Sequence, residues 1–249
     1  MKKLYQTEWH NIKFESFVKM SPDKIADTDF YTAFYSAFFK KYMGIEDLEQ
    51  EWLRLKLQVS ELIRDKCRLK KEHSVLSIGC GLGVTEKRLI DEGYNVEITE
   101  VTEKALKWLL PHISPEKVYL GIFPDCLPAV NRYDVIYLAS VEYALTDKEL
   151  LGMLKAVKDR LLPGGVCSII SWSFDNSVNT QSAFRRIAGM AVNIVRNRKP
   201  SRGGQFWGYI RKRGEFHKIM RKAGFSEIAD GIMEKKTRWD TYWISGVNK

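Results

Sequence analysis

The residues best suited to chemistry in this sequence are three glycines in alternate positions, Gly79-Cys80-Gly81-Leu82-Gly83. Glycines so close together let the backbone turn tightly and approach a ligand with no Cβ in the way. The loop follows a short apolar run, Ser74-Val75-Leu76-Ser77-Ile78, and precedes a helix-like stretch, Glu86 to Glu92. A loop in that position presents a helix N-terminus, whose unpaired N–H groups and partial positive charge favour bound groups rich in acceptors. A second apolar run, Asn95 to Thr99, leads into Glu100 and Val101. An acid at the carboxyl end of a strand, where open α/β sheets bind ligands, suits the two hydroxyls of a ribose through a bidentate pair of hydrogen bonds. Glu97 lies at an odd spacing from Glu100, so in a strand the two point to opposite faces.

The elements that must hold these groups alternate along the chain. Strand-like runs at Ser74–Ile78, Asn95–Thr99, Lys117–Ile122, Tyr133–Ala139 and Val166–Trp172 are interleaved with helical patterns at Glu86–Glu92, Glu103–Leu110 and Asp147–Leu162. Such alternation implies βαβ units and a parallel sheet covered on both faces. Pro163-Gly164-Gly165 stops the fourth-strand crossover helix and turns the chain. Before this core, Phe30, Phe34, Phe38 and Tyr42 recur every four residues, with Tyr31 and Tyr35 beside them, and Asp47 to Lys71 carries a second helical pattern. After it come a polar loop at Asp175–Thr180 and a basic amphipathic pattern at Gln181–Asn197. A helix at Arg213–Ala223 and strands at Glu227–Met233 and Thr241–Val247 complete the chain. The expectation is one domain over 1–249, with a helical cap at 1–72, a core at 73–172, and an acceptor-side insertion with the final strands at 173–249.

Dinucleotides and S-adenosylmethionine both use a glycine loop of this kind. Dinucleotide sites read G-x-G-x-x-G; Val84 stands where the third glycine would be, which disfavours NAD. Val75 to Gly83 resembles the first motif of the class I S-adenosylmethionine-dependent methyltransferases almost residue for residue. Val96 to Thr102, Tyr133 to Tyr143, Leu161 to Val166 and Ala223-Gly224-Phe225 are similar to later motifs of that family, in the right order. The resemblance implies a Rossmann-like, mostly parallel seven-stranded sheet with helices on both faces, an N-terminal helical cap and a helical insertion after strand five. It implies S-adenosylmethionine as cofactor, S-adenosylhomocysteine as product, and contacts from Gly79, Cys80, Gly81, Gly83, Glu100, Val101, Phe123 and Ala139. Phe123 falls nearest the place where the family borders the adenine, with Asp125 close by. Two positions depart from the family. Ser77 stands where an Asp or Glu is usual, so another group must help hold the ammonium of the cofactor. Tyr143 stands where many relatives carry histidine.

Composition narrows the setting. The 45% hydrophobic and 12% aromatic content argues for a folded chain with a sizeable core. Cys67, Cys80, Cys126 and Cys167 form no C-x-x-C pair and the histidines no H-E-x-x-H, so no metal site is expected and the thiols fit a reducing, cytoplasmic setting. Met1 to Glu8 has a basic beginning and no apolar stretch, so no signal peptide is expected, and no apolar run reaches the roughly 20 residues of a membrane helix. The net charge is +9, and Arg185 to Lys222 holds twelve cations against one acid, Glu215. That segment has three readings: a solvated face, a surface for an anionic acceptor, or a contact with the inner face of an anionic membrane. Within it, Gln205-Phe206-Trp207-Gly208-Tyr209-Ile210-Arg211 mixes rings that can stack on a sugar or base with an arginine that can pair with phosphate.

The segment is also loosely similar to bacterial enzymes that methylate sugars in surface polysaccharides. The expected acceptor is a hydroxyl on an anionic glycan or glycolipid precursor. Nucleic acid, a small molecule and a non-catalytic binding module are the alternatives. The general base is unassigned, with His10, Tyr143 and His217 as candidates. The aromatic helix is read as a lid, as a helix packed by its apolar face, or as both.

Overall fold

Apolar runs of four to seven residues bounded by turns are too short for core helices and pair side by side instead. The computed structural model describes residues 1–173, 204–235 and 240–249. In it β1 (Lys2–Gln6), β2 (Glu8–Trp9), β3 (Ile12–Lys13), α1 (Thr28–Lys41) and α2 (Gln50–Lys66) precede the core. The core runs β4 (Ser74–Ile78), α3 (Val84–Asp91), β5 (Asn95–Glu100), β6 (Val118–Leu120), β7 (Tyr133–Ala139), α4 (Asp147–Arg160) and β8 (Leu161–Ser173). Then come β9 (Gln205–Ile210), α5 (Arg213–Lys222), β10 (Ser226–Glu234) and β11 (Asp240–Val247). The main sheet has seven strands in the order β10-β11-β8-β7-β4-β5-β6. Pairing is parallel from β6 through β8, and β11 runs antiparallel to both β8 and β10. The strand order reverses between β4 and β7, which opens a crevice at their carboxyl ends.

Both faces of the sheet are covered, as the near-continuous apolar strands require. Leu150, Leu154 and Val157 of α4 and Phe216, Ile219 and Met220 of α5 pack on one face. Val59 and Ile63 of α2, Leu89 of α3, and Leu106 and Leu109 pack on the other. Each such side chain contributes roughly 1.5–3 kcal/mol when fully buried. A third cluster belongs to the cap: Phe30, Phe34 and Phe38, one face of α1, meet Phe14 and Trp207. The Phe14 and Trp207 rings stack with centroids 5.2 Å apart.

Several elements differ from the sequence reading. Glu103 to Leu110 is a 3-10 helix over Glu103–Trp108, followed by a 3-10 turn at Leu110–His112. Pro111 has no N–H to donate, so an α-helix could not propagate through it. Strand β6 spans only Val118–Leu120, with Ile122 67% exposed beyond it, as suits an edge. Helix α4 ends at Arg160, and the chain pairs with β7 from Leu161, with a register shift where Pro163-Gly164-Gly165 bulges out. The N-terminal segment holds strands the periodicity does not signal. β1 pairs antiparallel with β9, and β2 pairs with β3. The β2–β3 turn places His10 and Asn11 at φ 49 and 54, the left-handed pair a two-residue hairpin requires. The helix expected at Gln181–Asn197, the loop at Asp175–Thr180 and the cations from Arg185 to Arg202 lie outside the described residues.

Candidate functional site

The glycine loop leaves β4 and enters α3 with all three glycines left-handed, at φ 67, 58 and 70 for Gly79, Gly81 and Gly83. A Cβ at Gly79 would stand 2.6 Å from Val141 Cγ2, and one at Gly83 2.5 Å from Leu109 Cδ2. The loop therefore needs glycine both for its dihedrals and for space. The Gly79 amide donates to the Thr99 carbonyl at 2.9 Å, tying the loop to β5. Above it opens a cavity of about 330 Å3, over the carboxyl ends of β4, β5, β7 and β8.

Gly79, Cys80, Gly81, Gly83, Glu100, Val101 and Ala139 line this cavity. Phe123 does not: it is buried with Leu127, Ile136 and Leu138 in the core cluster under α4 and α5, so its ring is spent on packing. Glu100 is buried at the end of β5, where Oε2 accepts from the Gly81 amide and Oε1 from the Val101 amide, both at 2.8 Å. Burial pushes the Glu100 carboxyl up, and the amides of Gly81, Val101 and Thr102 oppose that shift.

A second carboxylate, which the sequence reading did not single out, faces the same space. Glu86 lies in the first turn of α3 and is 2% exposed. Its Oε1 accepts from Ser77 Oγ at 2.6 Å and from Tyr137 OH at 2.7 Å. Ser77 thus holds a carboxylate where an acid on the strand would otherwise stand. Lys56 of α2 also lines the cavity, its ammonium 5.2 Å from the Trp52 ring centroid, and burial lowers its pKa. A signal for Glu86 exists in the sequence: an acid in the first helical turn after the glycine loop, in a chain with serine at the strand position where an acid is expected. Lys56 carries none, being one cation on an amphipathic helix.

The rest of the chamber is aromatic. Trp9, Tyr31, Tyr35, Trp52, Tyr143, Trp172 and Trp207 line it. Tyr143 lies between Trp172 and Trp207, at 5.9 and 6.0 Å with interplanar angles of 22° and 12°. Tyr31 and Tyr143 share a hydrogen bond of 3.0 Å between their hydroxyls. Helix α1 therefore packs by its phenylalanines and also roofs the cavity with Tyr31 and Tyr35. Thr32 Oγ1 of α1 donates to Thr102 Oγ1 at 3.0 Å, fastening that roof to the exit of β5.

The candidate bases fare differently. Tyr143 lines the cavity, but burial and the neighbouring Tyr31 hold its phenol well above the usual range, so it stays protonated near neutral pH. His10 lies outside the cavity lining, in a nest of Trp9, Phe38 and Trp52 rings. Burial lowers its pKa to about 4, with Lys56 and Lys41 acting the same way. His217 lies outside the lining too, with Nε2 3.5 Å from Asp230 Oδ1. Arg211 corrects another expectation. It is fully buried, and Nε donates to Asp147 Oδ1 at 2.8 Å, Nη1 to the Glu142 carbonyl at 3.0 Å and Nη2 to the Leu145 carbonyl. Its guanidinium is consumed by the fold. Trp207 and Phe206 are buried as well, and Trp207 lines the cavity.

No family model matches the chain. A curated relative, the N-terminal Xaa-Pro-Lys N-methyltransferase 1 of Xenopus tropicalis, is 29% identical over 107 residues, 40% of this chain and 48% of that protein. The chain thus matches about half the length of its curated relatives. A Nostoc punctiforme structure described as a candidate O-methyltransferase superposes with a TM-score of 0.56 at 14% identity, covering 88% of this chain and 60% of that one. The magnesium protoporphyrin IX methyltransferase of Synechocystis, with bound S-adenosylhomocysteine, superposes with a TM-score of 0.51 at 16% identity, covering 79% of this chain and 83% of that one. These likenesses show a shared fold.

Proposed function

We propose that this chain, whose fold is that of the class I methyltransferases, binds S-adenosylmethionine over the glycine loop and transfers its methyl group. One observation carries the reading: three left-handed glycines and a buried acid, Glu100, converge at the point where the strand order reverses. The residues present fit the cofactor. Glu100 suits the ribose hydroxyls, Gly79 to Gly83 give a backbone approach free of Cβ atoms, and the apolar and aromatic walls suit the thioether and the purine. When bound, the cofactor supplies a methyl carbon on a sulfonium, which is already a good leaving group.

The chain's own work is then to hold the acceptor in line and keep water out. Tyr31 and Tyr143 offer hydroxyls that can orient an acceptor oxygen, and the aromatic lining of the chamber offers an apolar wall against which an acceptor can pack. We read the acceptor as a hydroxyl on an anionic glycan or glycolipid precursor. The cations at Arg196, Arg198, Lys199 and Arg202 in the sequence support an anionic partner. The Xenopus relative favours a second reading, methylation of a peptide amine, because its likeness exceeds that of the solved structures in identity.

Calorimetry with S-adenosylhomocysteine and with NAD tests the cofactor. Binding of the first alone is expected, and NAD binding without a response to S-adenosylhomocysteine would sink the reading. A tritiated-methyl screen of lysate split into glycan, lipid, RNA and protein tests the acceptor. Label in the glycan or lipid fraction is expected; label in protein alone would favour the amine.

A further inference from the structure

The bonds of Glu86 are lopsided. Ser77 Oγ and Tyr137 OH both donate to Oε1. Among the described residues, Oε2 accepts no hydrogen bond, and Glu86 lines the cavity. A carboxylate taken from water and left half-satisfied is costly, and the cost is recovered when a cation arrives. Lys56 is the cation that could have paired with it, and it does not. Among the described residues Lys56 forms no ion pair, although it faces the same cavity and the Glu86 charge acts on it. Opposite charges that share a cavity without closing on each other leave a gap for a ligand carrying both.

We infer that Glu86 and Lys56 form a subsite for an α-amino-acid zwitterion, with Glu86 Oε2 receiving its ammonium and Lys56 its carboxylate. The inference rests on the cofactor reading above, in which the methionine end of the cofactor is such a group. It also answers the departure at Ser77: the charge expected on β4 is carried by α3, and Ser77 positions it. A structural helix-end acid would have no reason to sit 2% exposed on a cavity wall with both of its hydrogen bonds on one oxygen. Such acids are favoured at helix N-termini, but their oxygens ordinarily face water or backbone amides.

The test compares S-adenosylhomocysteine with 5′-methylthioadenosine, which keeps the nucleoside and thioether and lacks the amino acid. Calorimetry on Glu86→Gln should show a loss of roughly tenfold or more for S-adenosylhomocysteine, the scale of a lost hydrogen bond to a charged group. Affinity for 5′-methylthioadenosine should stay within about threefold of wild type. Lys56→Met should give the same split. Glutamine keeps an acceptor for Ser77 and Tyr137, and thermal melting checks that the variants fold. Adding Ser77→Asp to Glu86→Gln should restore much of the lost S-adenosylhomocysteine affinity by returning a carboxylate to the strand. Equal weakening of both ligands by Glu86→Gln, or no weakening of either, would overturn the subsite. Wild-type protein that binds neither ligand would overturn the cofactor reading itself, and this inference with it.

Discussion

Acidification should loosen the roof of the cavity through His10. The imidazole is 6% exposed, its Nε2 has no hydrogen-bond partner among the described residues, and its pKa falls from 6.5 to about 4. The folded state therefore keeps His10 neutral, while the unfolded chain takes up a proton below pH 6.5. Stability from this group is fully present above pH 6.5 and is lost as the pH falls toward 4. Below that, folded and unfolded states are both protonated and the loss levels off. At 1.36 kcal/mol per pKa unit, the displacement corresponds to about 3 kcal/mol. The affected region is the hairpin that packs on Phe38 of α1 and Trp52 of α2, and both helices line the cavity. Urea denaturation followed by tryptophan fluorescence, at half-unit steps from pH 7.5 to 4, measures the effect. His10→Asn removes the titration and suits the left-handed backbone at φ 49. The stability of wild type relative to this variant should drop by about 3 kcal/mol across the window. Two parallel curves would refute the reasoning. So would an NMR titration that assigns a midpoint near 6.5 to the His10 imidazole itself.

Glu100→Ala should weaken S-adenosylhomocysteine binding by about 1.5–3 kcal/mol in calorimetry, the range for hydrogen bonds to a charged group; unchanged affinity would move the ribose site elsewhere. Arg211→Met should lower stability through the Glu142 and Leu145 carbonyls it leaves unpaired, at about 1–3 kcal/mol for each, read as a fall in denaturation midpoint. Gly83→Ala forces a side chain to φ 70 and against Leu109. About 1–2 kcal/mol from the left-handed dihedral alone should appear in the same denaturation assay.

The core of the fold is legible because each buried strand is short, apolar and bounded by turns, and because the crossover helices carry spaced apolar residues. Strands β4, β5 and β7 match the apolar runs to within a residue. The glycine loop is legible for the same local reason, since glycine relaxes at each of three alternate left-handed positions. What the sequence hides is long-range. β1 and β9 pair across some two hundred residues of chain, and nothing in Lys2–Gln6 names its partner. Arg211 reads as a phosphate ligand by type and as a carbonyl clamp by position, and only burial distinguishes the two. Phe123 likewise lies near the right loop, with its ring turned to the core. Tyr31 and Tyr35 sit beside the phenylalanine stripe of α1, so the pattern that locates the packed face says little about the shoulder that lines a cavity.

The pairing register explains why the missing strand acid and the helix acid belong together. Ser77 pairs directly with Tyr137 across β4 and β7, and both hydroxyls converge on one oxygen of Glu86. A carboxylate at position 77 would replace a donor to Glu86 with a second negative charge at hydrogen-bond distance. Two such groups cannot both ionise in a buried site without one being driven to its neutral form. The chain can therefore hold its negative charge on β4 or on α3, but not on both. A serine at the strand position is then the partner that a helix carboxylate requires rather than a defect in a glycine-loop motif. The tyrosine on β7 completes the arrangement: burial and Glu86 hold its phenol well above the usual range, so it remains a donor wherever the protein is folded. Ser77, Glu86 and Tyr137 thus act as one unit. The effect of any change at one of them depends on what stands at the other two, which is the signature of neighbours that share a network.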